Sequence, residues 1–97
     1  MTEAIYNILL SLRLANHGYG ITQEVSEMTG GRVNLGPGTL YGAINTLLDK
    51  GWIILVRAEL DSRKKKEYII TDKGRAVFAA EQKRLAELLE NGRKMEE

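Results

Sequence analysis

Apolar residues recur along this chain with two different periods, and the change of period marks its organisation. Between residues 3 and 15, Ile5, Ile8, Leu9 and Leu12 fall at i, i+3, i+4 and i+7. That spacing lines up apolar side chains on one stripe of a helix. Asn16-His17-Gly18 ends the run, with Gly18 as the candidate C-cap. A second helix is expected over residues 19–29, where Ile21, Val25 and Met28 share a face and Gly30-Gly31 stop it. A third opens at Gly36-Pro37, because proline lacks only an N–H that the first helical turn leaves unpaired anyway. Its inward stripe is Leu40, Ile44, Leu47 and Leu48, and Gly51 closes it.

From Trp52 the period shortens. Residues 52–57 are rich in β-branched and aromatic side chains, which suit a half-buried pleated surface. Residues 66–71 are the expected partner strand, and the polar stretch 60–65 reads as the tip between them. A long final helix is expected from residue 72 to 95, N-capped by Thr71. Three helices, a two-stranded hairpin and a last helix make a mainly α (α+β) fold. It reads as a winged helix-turn-helix over residues 1–71 with a C-terminal dimerisation helix over 72–97. The stripe Val77, Phe78, Leu85, Leu88 and Leu89 is more apolar than a free helix exposes. A second copy of the chain is the simplest cover, giving a two-fold homodimer. Ile5 joins those five residues at the expected interface.

Composition narrows the chemistry. Ninety-seven residues build one modest core, and a net charge of +1 says little about nucleic acid, so any basic footprint must be local. The absence of cysteine excludes disulfides and thiolate metal sites and fits a reducing cytosol. The N-terminus has no basic leader, and Asn7, Ser11 and Arg13 interrupt its apolar run. Neither a signal peptide nor a membrane span is expected, and a cytoplasmic location is. His17 is the lone histidine and no Asp/Glu/His cluster has ligand spacing. There is no nucleophile–base pair and no phosphate loop with a lysine. No catalytic residue, metal or cofactor is expected, and the chain does not read as an enzyme.

The chemistry that remains lies at the start of the third helix. Gly36-Pro37-Gly38-Thr39-Leu40-Tyr41 offers unpaired backbone N–H groups and a partial positive charge, with nothing bulky to keep an anion away. With the inward stripe assigned, Thr39, Tyr41, Gly42, Asn45, Thr46 and Lys50 face outward. Thr39 and Tyr41 can donate to phosphate oxygens, Asn45 can pair with adenine, and Thr46 can meet a thymine methyl. Gly42 inside a helix costs about 1 kcal/mol relative to alanine; close approach to a groove and tight packing on a neighbouring helix both account for it. Arg63, Lys64 and Lys65 at the hairpin tip suit a phosphate backbone or minor groove. Double-stranded DNA with a near-palindromic operator is the expected partner, met by two third helices about 34 Å apart. The rival reading is a winged-helix protein-interaction module. It needs an exposed apolar patch, against which the polar Thr39, Asn45 and Thr46 count.

Four segments stand in order: His17-Gly18-Tyr19-Gly20-Ile21, Gly38-Thr39-Leu40-Tyr41, Leu48-Asp49-Lys50-Gly51-Trp52-Ile53, and Arg63 through Tyr68 followed by Ile70-Thr71-Asp72-Lys73-Gly74-Arg75. In this series the chain resembles the PadR family of bacterial transcriptional regulators. The resemblance spans nearly the whole chain in order. It implies a winged helix-turn-helix, a homodimer built on the last helix, repression of a neighbouring operon, and release by an aromatic or drug-like small molecule. By position it implies phosphate contacts from Gly38, Thr39 and Tyr41, backbone support from Tyr19, and a flanking grip from Arg63, Lys64 and Lys65. Gly42 stands where members often place Arg or Pro, and Glu67-Tyr68 where paired tyrosines are common.

Overall fold

The computed structural model describes residues 1–58 and 66–97. Helix α1 (Glu3–Ser11) starts at Thr2, whose side chain accepts from the Ile5 N–H. Its buried stripe is Ile8 and Leu9, continued by Leu12 at the C-cap. The chain then enters a short strand, β1 (Asn16–His17), and passes directly into α2 (Gly18–Met28). Gly18 is therefore not the cap of the first helix but the first residue of the second. Helix α1 stops four residues short of the expected end at 15, and the chain goes on to β1, where Asn16 and His17 pair antiparallel with Tyr68 and Glu67. The His17 ring closes the new start, its Nδ1 accepting from the Gly20 N–H at 3.2 Å.

Helix α3 (Pro37–Lys50) has proline in its first turn and ends at Gly51, whose φ of 73° is the left-handed cap that glycine adopts without steric cost. Strands β2 (Ile53–Ala58) and β3 (Lys66–Ile70) follow, then α4 (Asp72–Gly92) and a 3₁₀ turn, Arg93–Glu96. The sheet is three-stranded in the order β1-β3-β2, so the expected two-stranded hairpin gains a strand from the α1–α2 connection. The β2–β3 register is irregular between Leu55 and Arg57, the local widening of a β-bulge.

One core joins these parts: Ile8, Leu9 and Leu12 from α1, Ile21 and Val25 from α2, Leu40, Ile44 and Leu47 from α3, and Ile53, Tyr68 and Ile70 from the sheet. Thr71 ties the end of α3 to the start of α4. Its hydroxyl donates to the Gly51 carbonyl at 2.7 Å and accepts from the Gly74 N–H at 3.0 Å. Gly74 is buried there, and the site needs glycine because a Cβ would land on the Trp52 carbonyl oxygen and 2.8 Å from Ile70 Cγ1. The first half of α4 is partly enclosed: Phe78 stacks on Tyr6 with ring centroids 4.4 Å apart. Glu81 takes two hydrogen bonds from Arg84. Beyond that, residues 82–92 are exposed.

Candidate nucleic-acid interface

Successive residues of an α-helix turn by about 100°. In α3 this leaves Gly38, Gly42 and Asn45 opposite the buried stripe, Tyr41 on one flank, and Thr39, Thr46 and Lys50 on the other. All of them are exposed. The helix N-cap is Gly36, which offers no side-chain cap bond, so the amides of the first turn stay open to an anion. Asp49 shares the outward face near the C-terminal end and is also exposed. Its carboxylate disfavours a phosphate at that position.

The N-termini of α2 and α3 open onto one cleft of about 240 Å³, lined by Gly18, Tyr19, Thr22, Leu35, Pro37, Leu40 and Tyr41. Tyr19 is 73% exposed and Tyr41 47%. Two positive helix ends and two phenols thus border a single depression. Tyr68, buried in β3, lies near enough that Tyr41 contributes to its environment: burial pushes the Tyr68 phenol above its usual range and Tyr41 adds to the effect. Gly18 lines this cleft although the sequence reading does not place it at the site, and Tyr68 lies behind it in the core. A helix-starting glycine and a strand tyrosine carry no local signature of what lies across from them.

The α3 residues separate by flank. The Thr46 hydroxyl donates to its own helix, to the Gly42 carbonyl at 3.1 Å. The Lys50 ammonium sits 5.1 Å from the centre of the Trp52 ring, a cation–π distance. Both residues line a larger cavity of about 550 Å³ whose other walls include Ile5, Trp52, Val77, Ala80 and Arg84. Apart from its chain neighbours and its own helix backbone, Gly42 has no atom of the described residues within 4 Å of where a Cβ would stand. Tight packing is thus excluded as the reason for that glycine among the described residues. Arg63, Lys64 and Lys65 lie outside the described residues.

A family model for the transcriptional regulator PadR-like family matches residues 5–80. The chain belongs to this family. These are transcriptional regulators, not enzymes. The PadR-like chain is 36% identical over 72 residues to transcriptional regulator Rv3488 of Mycobacterium tuberculosis, covering 74% of itself and 64% of that relative. It therefore spans a little under two thirds of the length of the curated relative it matches. It shares its fold with a PadR family transcription regulator from Clostridium difficile, with a TM-score of 0.82, 19% identity, and coverage of 99% and 100% of the two chains. Bacillus subtilis PadR, solved in complex with operator DNA, superposes with a TM-score of 0.69 at 28% identity, over 82% of this chain and 46% of that one.

The residues expected at a dimer interface divide in two. Ile5 packs on the chain's own core, Val77 lines the larger cavity, and Phe78 is half-buried against Tyr6. Leu85, Leu88 and Leu89 stay exposed, the last two at 53% and 65%. Among the described residues no helix is long and apolar enough to cross a membrane. No group of three or more His, Asp or Glu among them is placed to hold a metal ion.

Proposed function

We propose that this PadR-like regulator is a homodimeric DNA-binding repressor whose α3 enters the major groove. The observation that carries the reading is the shared cleft: two helix N-termini and the exposed Tyr19 and Tyr41 border it, beside a polar outward face of α3. Gly38, Thr39, Tyr41 and Tyr19 would hold phosphates, and Asn45 on the same outward face would reach base edges. Thr46 and Lys50, on the far flank, would touch the opposite wall of the groove. The operator complex of Bacillus subtilis PadR supports the partner. The repressor role follows from the family resemblance. Leu85, Leu88 and Leu89 support a second copy as cover for α4, which would set the two α3 helices on successive major grooves of a near-palindromic site.

The cavity between α1, α3 and α4 supports a small-molecule effector. Its volume suits a drug-sized ligand, its walls are largely apolar, and Lys50 and Arg84 supply positive charge. An aromatic ligand there would touch Leu47 of the reading helix and Val77 of the dimerisation helix together. It would release DNA only by binding the non-competent arrangement more tightly.

The alternative, a protein-interaction module, draws on Ile54, Leu55 and Val56, which are about half exposed on the edge strand β2. One titration separates the two. Duplex DNA is expected to bind with an affinity that falls steeply with salt, since each phosphate contact releases counterions. Neutralising Arg63, Lys64 and Lys65 together is expected to flatten that slope. Absence of binding at low salt, or binding indifferent to salt, would favour the interaction module.

A further inference from the structure

Gly18 is buried at the first position of α2, yet its backbone does not require glycine: among the described residues the positive-φ glycines are Gly30, Gly31 and Gly51. What requires it is a neighbour. A Cβ on residue 18 would stand 2.5 Å from the Tyr41 hydroxyl oxygen and 3.1 Å from Tyr41 Cζ, with Leu40 Cδ2 at an ordinary 3.4 Å. The end of the Tyr41 side chain occupies the space that any other residue at this position would fill.

We propose that Gly18 is the positioning residue for Tyr41: its missing side chain lets the phenol of α3 lie across the first turn of α2. The hydroxyl is thereby held where the two helix N-termini meet. The assignment rests on the reading of Tyr41 as a phosphate contact. The crowded atoms are the outer end of a half-exposed ring rather than backbone. A methyl group at residue 18 is therefore accommodated by swinging the phenol outward, with the fold kept and the hydroxyl displaced. Docking on a phosphate then has to recover the orientation that the wild type holds in advance.

The test compares wild type, Gly18→Ala, Tyr41→Phe and the double variant, each for thermal melting and for binding to a mixed-sequence DNA duplex at low salt. Proton NMR of the free protein looks for an Overhauser contact between the Tyr41 ring and the Gly18 α-protons. The contact is expected in the wild type. Gly18→Ala is expected to melt within a few degrees of wild type while weakening binding by about tenfold, the order of one hydrogen bond to a charged group. The double variant is expected to bind no more weakly than Tyr41→Phe alone, because Gly18 acts through the hydroxyl that Phe lacks. If Gly18→Ala alone fails to fold, the double variant is expected to fold and to bind as Tyr41→Phe does; weaker binding than Tyr41→Phe would overturn the assignment.

Additive losses in the double variant would overturn the assignment, since Gly18 would then act independently of the phenol. A missing Overhauser contact in the wild type overturns it as well. Wild-type binding that Gly18→Ala leaves unchanged sinks this assignment and spares the DNA reading. A wild type that binds no duplex removes both.

Discussion

Replacing Gly42 with alanine separates two demands on one position. Gly42 lies within the 14-residue α3, with helical backbone and no positive φ. Apart from its chain neighbours and its own helix backbone, a Cβ there meets nothing within 4 Å among the described residues, so no packing strain opposes the change. Alanine in a helix interior is favoured over glycine by about 1 kcal/mol. For a domain of this size that corresponds to a rise in melting temperature of about 4–8 °C. The same methyl projects from the face proposed to meet the groove, beside Gly38 and Asn45. It would hold the duplex off by about a carbon–carbon bond length, enough to stretch contacts made by Thr39 and Tyr41 beyond hydrogen-bond reach. Losing one such bond to phosphate corresponds to about a tenfold or greater fall in affinity. Circular dichroism melting and fluorescence anisotropy with a labelled duplex at fixed salt read the two effects separately. The expected result is a more stable protein that binds more weakly. A variant that is more stable and binds equally well would refute close approach as the reason for Gly42. A less stable one would refute the open-space geometry.

Other substitutions probe the frame around the site. Gly74→Ala drives a methyl into the Trp52 carbonyl oxygen, which backbone cannot yield; a loss of about 1–3 kcal/mol in urea unfolding is expected. Gly51→Ala meets no described neighbour within 4 Å but forces a φ of 73° on a residue with a Cβ, at a cost of about 1–2 kcal/mol in the same assay. Hydrogen bonds from Arg84, its charge and the nearby N-terminal amine hold the Glu81 carboxyl at about 2, below its ordinary 4.5. A folded value below the unfolded one stabilises the protein above about 4.5 and loses that contribution as pH falls towards about 2. Melting temperature should therefore drop across that window, and Glu81→Gln should flatten that part of the curve. Leu88→Asp with Leu89→Asp is expected to give a monomer in sedimentation, with its melting no longer dependent on protein concentration.

Much of this architecture was legible in local signals. The stripes of α1 and α3, Ile21 and Val25 of α2, the Gly36-Pro37 start, the Gly51 stop and the Thr71 cap each depend on residues within a turn or two, whereas Met28, expected on the same face of α2, is exposed at its end. The start of β1 was not legible. Two residues, Asn16 and His17, carry no periodicity, and their partners Tyr68 and Glu67 lie some fifty positions away. The N-cap of α2 was hidden for a related reason, because histidine is not among the usual capping residues, and its ring acts as one only in the orientation the sheet imposes. At the candidate site, the outward set of α3 followed from helical geometry. Its division between the Tyr41 flank and the cavity flank depended on where α2 and α4 pack.

The amino-acid order by itself determined which segments become helices, which face of α3 stays polar, and that an open glycine-rich turn begins that helix. These are consequences of bond geometry and of hydrophobic spacing read over a few residues. Only the tertiary structure decided that α2 and α3 present their N-termini to one cleft and that Gly18 leaves room for the Tyr41 phenol. It also decided that Thr46 and Lys50 turn towards α4 while Gly42 faces open space. Those outcomes are set by how one buried core orients elements far apart in the chain, and no local pattern encodes a distance between them.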